Sequence, residues 1–307
     1  MCRQGRARMR ARQTRINKLL SMTPSQIESI AVVGGGFMGT GIAETAAVSG
    51  LRVVVRDVDE AALERAHARI DASLARAVKG GKLDSARARE AWEMIDLTTD
   101  LDGIAAADLV LEAVPEDQRL KLDVMEAISR VVSDEALVAS NTSSIPIAEL
   151  AQALRRPERV LGLHFFSPVP VMRLVEVVVA LDTADEVVKV ARGFVERLGK
   201  RPIETKDRSG FIVNMLLVPY LMAAVRMYEE EFASREDIDA GMRLGCGHPM
   251  GPLALCDFIG LDVLYAVCDS LYEEFKRDEY APPPLMKRMV ASGRLGRKSG
   301  RGFYDYE

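Results

Sequence analysis

Apolar residues follow two rhythms along this chain. From Ser29 to about residue 180, short runs rich in Val, Leu and Ile alternate with stretches whose apolar positions recur every three to four residues. The first rhythm is that of buried strands, the second that of amphipathic helices. Runs at 29–33, 52–56, 108–114, 136–140, 160–166 and 173–179 read as strands. Helices are expected at about 38–49 and 59–79 and between most later strands. Val- and Leu-rich strands that alternate with helices form a parallel sheet covered on both faces. The rhythm changes near 206. Residues 211–231 read as one long apolar helix, Ser234-Arg235-Glu236-Asp237 opens another in the manner of a capping box, and 252–276 is helical around Gly260. Pro282-Pro283-Pro284 precedes a last helix ending near Gly293, and no clear strand follows Arg208. The expected architecture is a doubly wound, mostly parallel α/β sheet over 27–206 and an all-α domain over 207–307, with residues 1–26 set apart.

Charge sets that first segment apart. The net charge of −4 divides into +7 over residues 1–27, which hold no acid, and −11 over the remainder. An acidic body argues against nucleic acid as the partner. The basic stretch has three readings: a transit-peptide-like segment, a disordered arm, or sequence upstream of a start at Met22. On each of the last two, residues 1–22 are dispensable. The longest uncharged apolar run, between Arg208 and Arg226, has 17 residues and contains Asn214 and Pro219, which is short and interrupted for a bilayer span. No membrane partner is expected. Four cysteines without a Cys-x-x-Cys pair, and no secretory apolar segment ahead of them, fit a reducing cytoplasm. An Arg-to-Lys ratio of about three to one fits a GC-rich bacterial genome. Histidines at 67, 164 and 248 offer no metal-ligand spacing.

Three segments carry candidate chemistry. The first is Gly34-x-Gly36-x-x-Gly39, which follows a strand and opens a helix, with Asp57 closing the next strand 23 residues after Gly34. In that context Gly34 makes a tight turn, Gly36 admits a pyrophosphate to the backbone, and Gly39 lets helix and strand pack closely. The helix N-terminus favours the anion. Asp57 would accept the ribose hydroxyls and repel a 2′-phosphate, so the cofactor is expected to be NAD, although Arg56 beside it pulls the other way. The domain is therefore of Rossmann type. A glycine-rich turn without a ligand is the bland alternative.

The second segment spans 140–176. Ser140-Asn141-Thr142-Ser143-Ser144 follows a strand, at the sheet edge where such folds bind ligands. His164 and Glu176 each sit among apolar residues, where an unpaired polar group is costly. Both are explained if they pair with each other. They are twelve apart, and Ser167-Pro168-Val169-Pro170 lies between them as a chain reversal, because prolines cannot continue a paired strand. Antiparallel pairing around that turn puts 164 opposite 176. A satisfied core histidine is the alternative. The third segment, Asp207 to Asn214, marks the junction of the two domains; Asn214 is a polar residue one turn into an apolar helix, and a simple hydrogen-bonding role is the alternative there.

Taken in order, Gly-x-Gly-x-x-Gly, Ser-Asn-Thr-Ser-Ser, His-Phe-Phe-x-Pro, Leu-Val-Glu-Val, Gly-Phe-Ile-Val-Asn and the terminal Gly-Arg-Lys-Ser-Gly-Arg-Gly-Phe-Tyr-Asp-Tyr resemble the L-3-hydroxyacyl-CoA dehydrogenase family, most closely its single-function bacterial 3-hydroxybutyryl-CoA members. The resemblance covers about 27–307. It implies NAD-dependent oxidation of an (S)-3-hydroxyacyl-CoA, with His164 as the catalytic base, Glu176 as the carboxylate that orients it, and Ser143 and Asn214 as hydrogen-bonding partners of the substrate. It implies cofactor contacts at Glu116, Lys121 and Asn141, and a coenzyme A contact at Ser73. The family's nearby CoA lysine falls on Gly80 by ungapped count, between Lys79 and Lys82, and Lys79 is taken as the stand-in. Ser167 stands where the family usually has Asn. A homodimer is expected from the resemblance and from the long apolar helices of the second domain. Two other classes stay open: another NAD-dependent hydroxyacid or sugar-acid dehydrogenase, and a non-catalytic NAD-binding protein.

Overall fold

The computed structural model describes residues 27–306, so the expectations for residues 1–26 lie outside the described residues. The chain divides into two compact units between Asp207 and Arg208.

The first unit is built on one eight-stranded sheet. Its strands are β1 (Ser29–Val33), β2 (Arg52–Arg56), β3 (Ile95–Thr98), β4 (Leu109–Glu112), β5 (Leu137–Ser140), β6 (Val160–Phe165), β7 (Leu174–Val179) and β8 (Arg201–Lys206). They lie in the order β3-β2-β1-β4-β5-β6-β7-β8. All neighbours pair in parallel except β6 and β7, which are antiparallel. The chain enters the sheet at β1, winds outward to β3 and then returns to β4 on the other side. That reversal creates the crevice where open α/β sheets hold ligands.

The helices of this unit are α1 (Phe37–Val48), α2 (Glu60–Lys79), α3 (Ser85–Glu93), α4 (Gln118–Val131), α5 (Ile147–Ala151) and α6 (Asp185–Arg197). Strand alternation sends side chains to two separate cores. On one face, Val32, Val53, Leu111, Leu163 and Phe165 pack with Ile42, Ala43 and Ala46 of α1 and Val190 and Phe194 of α6. On the other, Ala31, Val33, Val110 and Val138 pack with Met125 and Ile128 of α4 and Leu150 of α5. Side-chain caps start the helices where Asp59 accepts from Ala62 N–H, Asp84 from Arg87 N–H and Asp117 from Leu120 N–H. α1 has no such cap, because its N-cap residue is Gly36.

Two strands were not anticipated, β3 and β8. Both are edge strands. β3 is four residues long and pairs only with β2; β8 reads Arg-Pro-Ile-Glu-Thr-Lys, with polar residues on its exposed positions. Edge strands of this kind lack the apolar run of the sheet interior, and Pro and Lys are tolerated there.

The second unit is helical among its described residues, apart from short bridges at Gly296–Arg301 and Arg301–Asp305. It contains α7 (Val213–Glu229), α8 (Arg235–Ala240), α9 (Pro252–Ile259), α10 (Leu261–Phe275) and α11 (Pro284–Ala291). Ser234 caps α8 by accepting from Asp237 N–H. Its core joins Leu221, Met222 and Val225 to Leu253, Leu264, Leu271 and Met286. The buried Asp257 carboxylate fastens the last residues, accepting from Phe303 N–H, Tyr304 N–H and the Tyr306 hydroxyl, each at 2.9 Å.

Candidate active site

The C-terminal ends of β1, β2, β4, β5 and β6 share one edge of the sheet, because these strands are mutually parallel. After β1 the chain turns at Gly34, whose φ of +107° is a left-handed conformation open to glycine. A Cβ there would meet Ala113 O at 2.7 Å. At Gly39 a Cβ would lie 1.8 Å from Gly34 O, so only glycine lets α1 start this close to the turn. Gly36 faces open space, with nothing within 4 Å of a Cβ. An open position at an uncapped helix start fits a pyrophosphate, with free N–H groups directed at it. Asp57 Oδ2 accepts from Gly35 N–H at 2.7 Å and Oδ1 from Val58 N–H at 2.7 Å, which pins the carboxylate beside the turn. The second lone pair on each oxygen is left for ribose hydroxyls. The turn and Asp57 therefore fit NAD.

His164 and Glu176 fall opposite each other in the β6–β7 pairing, as the hairpin argument expects. His164 Nδ1 lies 2.7 Å from Glu176 Oε2. Glu176 is 0% exposed and His164 7%. Because Leu163 and Phe165 enter the core with α1 and α6, His164 is left on the other face, near the strand end. A carboxylate only accepts, so Nδ1 carries the proton of this bond and Nε2 is the basic nitrogen. The turn between the strands begins with a cis Ser167–Pro168 peptide and closes with Val171 N–H and Met172 N–H donating to Pro168 O. Ser167 is exposed. Val169 packs against Gly41 of α1, and the buried Lys200 ammonium donates to Val169 O and to Met172 O at 2.5 and 2.7 Å. Burial pushes the Lys200 ammonium below its ordinary value.

A polar network ties the ends of β4 and β5 together. Glu116 Oε1 accepts from the Thr142 hydroxyl at 2.6 Å, Ser143 N–H at 2.8 Å, Ser143 Oγ at 3.2 Å and both Ser144 donors. Burial alone would raise the Glu116 carboxyl, but Lys121 and these donors outweigh it and hold it below the usual carboxylate value. Lys121 is 1% exposed; its ammonium donates to Glu112 Oε1 (2.7 Å) and Val114 O (3.2 Å) and forms an ion pair with Glu116 Oε2 (3.3 Å). It is thus committed to the protein, and it reaches the open side of the site only through Glu116. Asn141 Oδ1 accepts from Phe165 N–H at 2.9 Å, joining the end of β5 to the residue beside His164.

Ser73 lies on α2 in the wall of a groove of about 770 Å³. Arg76, Gly80, Lys82, Met172 and Lys200 also line it, whereas Lys79 does not. Of the two lysines beside Gly80, the structure brings Lys82 to the groove. Glu44 of α1 is buried there. Burial pushes its carboxyl up, against a hydrogen bond with Ser73 and the charge of Arg76. Asn214 is half-buried in the first turn of α7, in the second unit. The sequence reading missed Glu112, Lys200 and Glu44. The signal at Glu112 was a lone acid in an apolar strand, the same signal that singled out Glu176.

A glycine-rich turn that fits a dinucleotide, with an imidazole–carboxylate pair on the same sheet edge, defines an NAD-dependent dehydrogenase fold. Residues 29–208 match the 3-hydroxyacyl-CoA dehydrogenase, NAD binding domain, and residues 210–306 match the 3-hydroxyacyl-CoA dehydrogenase, C-terminal domain. The chain belongs to the 3-hydroxyacyl-CoA dehydrogenase family, and its first unit is that family's NAD-binding domain. It is 49% identical over 282 residues to a 3-hydroxybutyryl-CoA dehydrogenase of Mycobacterium tuberculosis, covering 91% of this chain and 99% of that protein. The crystal structure of M. tuberculosis FadB2 superposes with a TM-score of 0.90 at 48% identity, over 92% of this chain and 99% of the other. That of the (S)-3-hydroxybutyryl-CoA dehydrogenase PaaH1 from Ralstonia eutropha gives 0.87 at 45% identity, over 92% and 100%.

Proposed function

We propose that this protein oxidises short-chain (S)-3-hydroxyacyl-CoA, in the first place 3-hydroxybutyryl-CoA, to the 3-oxoacyl-CoA, reversibly and with NAD. The observation that carries the reading is the buried His164–Glu176 pair at 2.7 Å, on the sheet edge that also bears the glycine-rich turn. The relatives named 3-hydroxybutyryl-CoA dehydrogenase support the substrate.

Oxidising a secondary alcohol removes a proton from oxygen and a hydride from carbon. Bound NAD⁺ supplies the acceptor for the hydride. Gly34, Gly36, Gly39 and Asp57 would hold it, and Asp57 would select against a 2′-phosphate. His164 Nε2 takes the hydroxyl proton, and returns it in the reverse direction. Glu176 fixes the tautomer and stabilises the imidazolium that forms. Ser143 orients the substrate oxygen, itself held by Glu116. For Asn214 the same task rests on the family likeness alone. Ser73 and Lys82 are the candidates for the CoA moiety in the groove.

The reading extends to a homodimer in the bacterial cytoplasm. Leu216, Phe232 and Leu244 of the second unit are 72%, 73% and 83% exposed in the single chain, and a surface of this kind supports an interface. Among the described residues no helix is long and apolar enough to cross a membrane. Sedimentation at micromolar concentration tests the dimer; a monomer there removes it. The activity is tested by NADH oxidation with acetoacetyl-CoA, with a longer 3-oxoacyl-CoA, and with NADPH in parallel. Turnover of acetoacetyl-CoA with NADH and little with NADPH is expected; no CoA-dependent turnover refutes the reading.

A further inference from the structure

We propose that Glu112 is a positioning residue of this active site, acting through Lys121 and Glu116 on the hydroxyl of Ser143. The inference rests on the dehydrogenase reading above. Glu112 is the last residue of β4 and is 0% exposed. Its side chain is fully engaged. Oε1 accepts from Lys121 Nζ and from Val114 N–H, both at 2.7 Å, and Oε2 accepts from Ser140 Oγ at 2.5 Å. Its own carbonyl accepts from Asn141 N–H at 2.9 Å. One residue thus joins the ends of β4 and β5 and the first turn of α4, on the sheet edge that also carries the glycine-rich turn after β1.

The geometry has a direction. Lys121 lies between two carboxylates at unequal distances, 2.7 Å from Glu112 and 3.3 Å from Glu116. The nearer, fully buried acid makes the shorter contact. Glu116 is left as an anion, with Oε1 facing the donors of residues 142–144. If Glu112 loses its charge, Lys121 has a single anion to neutralise. Its ammonium then shifts toward Glu116 Oε2, turns that carboxylate and draws Oε1 away from the Ser143 hydroxyl. Ser140 adds a second route: its Oγ donates to Glu112 and accepts from Thr142 N–H at 3.2 Å, so the start of the serine turn is fixed from the same carboxylate. Neither Glu112 nor Ser140 is exposed, so both act on substrate only through the residues they hold.

The test is a double-mutant cycle in the acetoacetyl-CoA and NADH assay, with melting temperature and NADH affinity measured on each variant. Glu112→Gln is expected to lower kcat by about tenfold or more through misplacement of Ser143, with a smaller loss of NADH affinity, because the family likeness also places Glu116 and Lys121 beside the cofactor. Ser143→Ala lowers kcat by itself. In the double variant Glu112→Gln should cost little more, because its effect runs through the hydroxyl already removed. Multiplicative losses would mean a general structural role and overturn the proposal, as would a kcat for Glu112→Gln within about twofold of wild type. If Glu112→Gln does not fold, Ser140→Ala carries the same cycle without altering a charge, with a smaller loss and the same dependence on Ser143; independence from Ser143 overturns the proposal there too. A wild type that does not turn over acetoacetyl-CoA refutes the dehydrogenase reading instead, and the two failures are thereby distinct.

Discussion

Replacing Glu176 by Gln changes one charge and almost no volume at a site that is closed to water. Glu176 is 0% exposed, and its oxygen lies 2.7 Å from His164 Nδ1. In the reaction His164 becomes positive at the moment Nε2 takes the alcohol proton. An imidazolium and a carboxylate whose charge centres are about 4 Å apart attract by roughly 4 kcal/mol at an effective dielectric of about 20. At about 1.4 kcal/mol per decade this is nearly a thousandfold in rate. Glu176→Gln is accordingly expected to lower kcat by about two to three orders of magnitude, with NADH affinity within a few-fold of wild type. His164→Gln should be at least as damaging, and the double variant little worse than either, because the two residues act as one unit. The assay is steady-state NADH oxidation with saturating acetoacetyl-CoA, paired with fluorescence titration of NADH. A kcat for Glu176→Gln within about tenfold of wild type would refute the electrostatic argument, and additive losses would give the carboxylate a different task.

Three other expectations follow from the same geometry. Gly39→Ala would drive a methyl group to 1.8 Å from Gly34 O; NADH affinity should fall at least about tenfold and the melting temperature by several degrees, and unchanged titration would contradict the packing of the turn. Asp57→Ala should narrow the gap in kcat/KM between NADH and NADPH, and equal efficiencies in the wild type would remove Asp57 as the selector. Burial pushes the Cys268 thiol up to about 12 and the Cys256 thiol well up; a thiol reagent followed by peptide mass spectrometry should label Cys256 and Cys268 only after unfolding, and labelling of either in the folded protein would contradict their burial.

The sheet interior was legible in the sequence because burial on both faces leaves unbroken apolar strands. β1 and β2 fall where the pattern put them, and β4 to β7 agree within two residues at every end. The edges were not legible. β3 and β8 have one neighbour each, so their outer residues are free to be polar and the apolar signal disappears. Within the site, a pair of costly polar residues around a proline turn is enough to place His164 opposite Glu176 from the sequence alone. The network of Glu112, Lys121 and Glu116 was not read in the same way, although Glu112 ends an equally apolar strand. Its partner lies nine residues on, in a helix, and a strand-to-helix contact has no fixed register from which to count. The groove lysine was ambiguous for a related reason: Lys79 ends α2 and Lys82 follows the turn at Gly80 and Gly81, so which of them faces the groove depends on the turn geometry.

If His164 is the acid–base group for a CoA thioester alcohol, its removal must abolish turnover while the fold and the cofactor site stay intact. Wild type and His164→Gln, matched for melting temperature and for NADH affinity, are assayed side by side for acetoacetyl-CoA-dependent oxidation of NADH. The expected result is turnover by the wild type and a loss of at least about three orders of magnitude in the variant. Turnover retained by His164→Gln, or no turnover by a wild type that binds NADH, would contradict it.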